Sequence, residues 1–353
     1  MTQGSLIVEK IGTGRVASAS QNRLSVRESR LDADGKIADL CFSMKNRPAS
    51  PAIPAGGVTT VHAVTLLANL MVSTSFPVGK EIAHALEPGV LMLIRFVVAA
   101  ALMGVYVYFR HGLAWPGWGA LWRYAAIALA VTIFFWCMFE SLRYTSALNT
   151  SALFTTVPVL SAIIAFFVAG ERLGRYRFAA LALGLVGALW IIFRGDPERL
   201  FTLDVNKGDG IFLGGCVAFG LYGVLIKRFD RGEPTAIMTF WILMFSAVFY
   251  LIIAGKDLVA SPWTTTGLEI YGWIVYLAVV STVISFFMFQ YATPRIGPTR
   301  VLAYSYFIPA FVLLIDWAIG RGLPPAMTLP GIAIVLIASL IIQRGAIETR
   351  QKR

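Results

Sequence analysis

Apolar residues run in long uninterrupted stretches along most of this chain, and polar residues gather between them. Charge-free segments cover 124–139, 144–170, 178–193, 210–226, 235–255, 270–294 and 322–343. A bilayer core about 30 Å thick is crossed by about 20 helical residues at about 1.5 Å each. With flanking residues included, the pattern predicts ten spans, near 60–82, 89–109, 121–143, 147–169, 175–194, 208–227, 235–254, 270–291, 298–319 and 325–343. The first is the least regular, interrupted by Pro77 and closed by Lys80 and Glu81. The expected fold is an all-α membrane protein of ten transmembrane helices.

Polar segments flank this block. Residues 1–58 mix eight Lys/Arg with five Asp/Glu and end in PASPAIPAGG. No apolar core follows the basic residues early enough for a signal peptide, and the composition predicts a disordered cytoplasmic tail. Met44 offers an alternative start that leaves MKNRPASPAIPAGG as a short leader. Residues 344–353 are expected to form a basic cytoplasmic tail.

Composition agrees with the pattern: 57% of residues are apolar and 14% charged, which excludes a water-soluble domain. The net charge of +11 suggests nucleic acid until its placement is considered. With both termini inside, twenty-two Lys/Arg fall on the cytoplasmic side and seven outside; without the long tail the split is fourteen to seven. That bias is the signature of membrane orientation, so no nucleic-acid partner is expected. Cys41, Cys137 and Cys216 stand alone, and His62, His84 and His111 lie far apart. Neither set forms a metal-ligand pattern, and no metal or cofactor is expected.

The spans repeat. Glu87-Pro88 and Glu233-Pro234 each precede an apolar run at an offset of 146, and Lys80 matches Lys227 at 147. The segment from Glu140 to Leu173 parallels that from Gln290 to Leu323 at 150. The copies therefore cover 59–195 and 208–343, five spans each. An odd number of spans turns the second copy upside down, the usual geometry of alternating-access transporters with a midplane substrate site.

Four motifs carry a family resemblance: SFPVGK (75–80), IRFVVAAAL (94–102), ESLRYTSALNTSALFTTVP (140–158) and PVLSAIIAFFVAGERL (158–173). With them the chain resembles the drug/metabolite transporter superfamily, in its EamA-type ten-span form. The resemblance implies a secondary transporter, usually an exporter of amino acids or other small metabolites. The second copy departs from the family pattern at Gly320-Arg321, where members commonly carry Gly-Glu.

Several residues are candidates for transport. Arg95 lies within an apolar run and has Trp241 as its counterpart. It either serves the fold, by snorkelling or pairing, or lines the cavity and meets an anionic substrate group. Asn69, Ser73, Pro77 and Lys80 fall on one helical face, either lining the cavity or bonding between helices. Pro77, Pro158 and Pro309 are expected kinks and candidate gating joints. Glu140, three residues before Arg143, is either half of a structural ion pair on one helix face or a proton-coupling carboxylate; Gln290 takes its place in the second copy. Asp316 is a second candidate acid. Glu171, among basic residues, is expected to be a satisfied interfacial charge. Trp136, Thr155, Tyr304 and Tyr306 offer an aromatic and polar wall or ordinary packing.

The function these features predict is a multi-pass transporter of a bacterial-type inner membrane. It exports a small metabolite with H+ as a candidate coupling ion, as a monomer or homodimer in the lipid bilayer. A membrane-embedded enzyme or a sensor without transport is the alternative. No cluster of catalytic side chains favours the enzyme, and no Gly-rich phosphate loop favours ATP-driven pumping.

Overall fold

The structure, a computed structural model, describes residues 57–112, 115–169, 175–193, 195–196, 198, 206–296, 301, 304–322 and 325–351. The expected tail up to residue 56, the alternative start at Met44 and Glu171 lie outside them. Every described element is helical.

The first apolar run is two helices, α1 (Gly57–Ser73) and α2 (Ser75–Ile82), parted at Thr74. Pro77 is the third residue of α2, inside the first turn, where a missing N–H leaves no helical bond unmade. Pro88 opens α3 (Pro88–His111) behind an extended Glu87, and α4 (Trp118–Ser141) follows. Ser146 caps α5 (Ala147–Phe154) by accepting from the Asn149 backbone N–H at 3.1 Å. Tight turns at Thr155 and Thr156 then lead into α6 (Val157–Ala169), with Pro158 as its second residue. α7 (Arg175–Ile192) completes the first half.

Asn206 caps α8 (Lys207–Phe229), accepting from the Asp209 N–H at 2.9 Å. After α9 (Thr235–Ala260), the next run is α10 (Leu268–Ala278), one π-helical stretch over Val279–Ile284, and α11 (Ser285–Ile296). A 3₁₀ turn at Tyr304–Phe307 precedes α12 (Ile308–Ala318), in which Pro309 is again the second residue. The chain closes with α13 (Leu329–Gln351). Residues 344–351, expected as a tail, prolong α13 as helix.

Seven helical stretches among the described residues are long and apolar enough to cross a membrane: Thr59–Ile82, Pro88–His111, Trp118–Ser141, Ala147–Val168, Lys207–Phe229, Thr235–Ala260 and Leu268–Thr293. Three shorter apolar helices, Ala179–Ile192, Tyr304–Ala318 and Ala326–Ile341, fall where the fifth, ninth and tenth spans were expected. The protein is therefore an all-helical, multi-pass membrane protein.

Packing follows from side-chain size. α3 lies along α9, α4 along α8, and α7 along α13. At the last contact Gly187 and Gly331 face each other so closely that a Cβ on either meets the other's carbonyl oxygen at 2.9 Å. Small residues allow this backbone approach, and dispersion and Cα–H contacts then hold helices that lipid does not drive together. α1 packs on α11 and α12, and α4 also meets α9. Between α2, α4, α5 and α8 sits an aromatic cluster of Phe76, Phe134, Phe154, Phe212 and Phe219.

Candidate functional site

The expected polar stripe of the first span turns inward and bonds mostly to its own helix. Asn69 and Ser73 are buried; Asn69 Nδ2 donates to the Thr65 carbonyl at 2.9 Å and Ser73 Oγ to the Asn69 carbonyl at 2.6 Å. Such back-bonds compete with the helix ladder and favour a bend. Lys80 leaves the stripe and donates to the Leu142 carbonyl at the end of α4, at 2.8 Å. Pro77 offers its carbonyl to Arg321 at 3.5 Å.

The break at Thr74 docks on the π-helical stretch. Thr74 Oγ1 donates to the Met71 carbonyl at 2.7 Å, lies 3.0 Å from Ser281 Oγ and accepts from the Tyr276 hydroxyl at 3.2 Å. Ser281 Oγ also donates to the Met71 carbonyl at 2.9 Å. Thr282 Oγ1 donates to the Leu277 carbonyl five residues back, the spacing of a π turn.

Arg95 reaches the same stretch. It is 1% exposed, with Nε 3.3 Å and Nη2 3.1 Å from Thr282 Oγ1 and its guanidinium carbon 4.6 Å from the Phe135 ring centre. Nη1 has no partner, and no carboxylate among the described residues lies within ion-pair distance. The repeat offset of 150 sets Thr132 opposite Thr282, and the Thr132 hydroxyl is likewise unpartnered. The second half, which carries the counterpart of Arg95 for Thr132, has Trp241 at that position.

Elsewhere the expected residues scatter. Trp136 is exposed on α4, Thr155 is fully buried and donates to the Ala152 carbonyl at 2.7 Å, and Gln290 is half-buried in α11. Tyr304 is buried, its hydroxyl 2.5 Å from His62 Nδ1 of α1. Pro158 and Pro309 occupy matching second positions in α6 and α12. Glu140 pairs with Arg143 at 3.2 Å and accepts from the Tyr144 hydroxyl at 3.1 Å, while Arg143 also reaches Glu87 at 2.9 Å. Burial opposes the charge on Arg143, but hydrogen bonds and charge from Glu87 and Glu140 outweigh it and raise its pKa.

At that same end of the bundle, Asp316 pairs with Arg321 at 2.9 Å. Both line a pocket of about 210 Å³ with Ser146, Asn149, Leu313 and Thr328. Here α5 packs on α2, α7, α8 and α12 together. The other end of the same span is looser: α6 lies along α8 with a smaller contact on α7, and after Val157 none of its described side chains is buried.

The model of the EamA-like transporter family matches residues 59–193 and again 206–344. The chain belongs to that family. Among EamA-like relatives, an uncharacterized transporter of Bacillus subtilis (strain 168), YyaM, is 22% identical over 300 residues, covering 83% of this chain and 97% of that one. A probable terminal-alkyne amino-acid exporter of Streptantibioticus cattleyicolor is 24% identical over 208 residues, or 58% of this chain and 66% of that protein. One crystal structure shares the fold at a TM-score of 0.61 and 17% identity, over 82% of this chain and 99% of its own.

His62 enters the sequence reading only as a metal ligand, and Thr74, Thr282 and the pairing of Arg321 with Glu81 in this EamA-like chain find no place in it. Two of these had a signal. The Ser/Thr cluster of VVSTVIS marks a helix inclined to back-bond, and His62 lies seven residues before Asn69, on the face of the stripe.

Proposed function

We propose that the chain is a secondary transporter of the cell membrane that exports amino acids or other small metabolites by alternating access. In this reading ten spans form two inverted five-helix repeats, over 59–195 and 208–343, with both termini in the cytoplasm. The three short apolar helices serve as the fifth, ninth and tenth spans.

The observation that carries the reading is how the packing behaves when the halves are exchanged. The pairs α3–α9 and α7–α13 map onto themselves. α4 on α8 exchanges with α1 on α11, and α4 on α9 with α10 on α3. The contact of α6 with α8 exchanges with that of α12 with α1. Five-span halves related in this way enclose a path at their shared axis, and rocking one against the other opens its ends in turn. The tight packing around α5 and the loose packing of α6 fit an inward-open state. Amino acids enter as a substrate class through the relative named for exporting one.

Reconstitution into liposomes with a metabolite panel, with and without a pH gradient, tests this. A solute that moves, faster with the gradient, is the expected result and makes H+ the coupling ion. If nothing moves under any gradient, the reading falls.

A further inference from the structure

We propose that Arg321 bolts the outer mouth of the path shut, by tying the end of the ninth span to the end of the first. This rests on the alternating-access reading, in which the two halves part at that mouth.

The backbone sets the residue in place. α12 ends in a Schellman turn, with Gly320 at φ 81°, its N–H on the Trp317 carbonyl at 3.1 Å and the Arg321 N–H on the Asp316 carbonyl at 2.9 Å. Gly322, at φ 82°, turns the chain sharply again on the other side. Arg321 is thereby held above its own helix end, where Nη1 meets Asp316 Oδ1 at 2.9 Å.

The other contacts cross to the first half. Nη2 donates to Glu81 Oε2 at the end of α2, and Nη1 reaches the Pro77 carbonyl at 3.5 Å. α2 is the short helix beyond the Thr74 joint. Lys80–Leu142 and Arg143–Glu87, by contrast, stay within the first half. The bolt therefore lies on a seam that has to open.

Its strength suits a gate. Arg321, Asp316 and Glu81 side chains are 31%, 20% and 63% exposed, so water screens the pairs and they bias a conformation without locking it. The sequence holds a matching sign. At the repeat offsets of 150 and 147, Arg321 and Glu81 correspond to Glu171 and Arg228. Both charges are reversed, and complementarity is kept.

The test uses a reporter inside the mouth. Asn149, 7% exposed, lines the pocket beside Arg321. Asn149→Cys is reacted with a membrane-impermeant thiol reagent applied to intact cells. The parent chain with Cys41→Ser, whose remaining Cys137 and Cys216 are buried, serves as the blank and as the background for every variant. Arg321→Gln is expected to speed labelling roughly fivefold, the shift that two partly exposed ion pairs support. Arg321→Lys should fall between, and Glu81→Gln should raise labelling with the Asp316 pair intact, which decides the matter if Arg321→Gln does not fold. Equal labelling in all variants, or a rise only in inside-out vesicles, overturns the bolt. Transport is measured on the same preparations. A parent that moves no solute while labelling still responds refutes the transporter reading and leaves the bolt standing. Transport with unresponsive labelling refutes the bolt alone.

Discussion

Arg95 of α3 donates two hydrogen bonds to Thr282, a residue 187 positions away on the one described stretch that winds as a π-helix. The wider turn lets Thr282 donate to Leu277 while accepting from the guanidinium. A buried cation is thus held by one hydroxyl and the face of Phe135.

Loss of that hydroxyl strands a charged donor. Thr282→Val is expected to lower stability by about 2 kcal/mol, seen as a lower melting temperature in detergent. The counterpart Thr132→Val should be nearly neutral, because its hydroxyl bonds to nothing. For the same reason Arg95→Gln is expected to reduce folded yield and transport together; full surface expression with lost transport would instead favour a substrate-contacting role.

The joint between Thr74 and the π-helical stretch is measurable as a coupling. Thr74→Val and Ser281→Ala together should differ from the sum of the single changes by about 1 kcal/mol, as for residues in one hydrogen-bond network. A double-mutant cycle on thermal or denaturant unfolding reads it.

Gly187→Ala pushes a methyl against the Gly331 carbonyl and should destabilise by about 1–3 kcal/mol. Gly214→Ala meets nothing within 4 Å, and by helix propensity alone it should be neutral or stabilising by a few tenths of a kcal/mol up to about 1. Unfolding midpoints of the two variants decide.

Glu140→Gln leaves Arg143 its second carboxylate, Glu87. Because these pairs are partly exposed, a stability loss of about 1 kcal/mol at most is expected. Gradient-driven transport should survive. Uptake that no longer responds to a pH gradient would instead make Glu140 the coupling acid.

The transmembrane character, the near-periodic halves and the placement of the proline breaks were legible in the sequence, because each is a local or summed property. Lipid demands long apolar runs whatever they touch, and a proline such as Pro158 or Pro309 cannot continue a preceding helix but is accepted in the first turn of the next, wherever that helix lies. The periodicity places Asn69 and Ser73 on one face, yet it does not say whether Asn69 bonds across helices or back to Thr65. The fates of Arg95, Asp316 and Arg321 were decided only in three dimensions. A buried or paired charge is set by partners such as Thr282 and Glu81, 187 and 240 residues away, and one-dimensional pattern carries no record of which distant side chain folding will bring within hydrogen-bond reach.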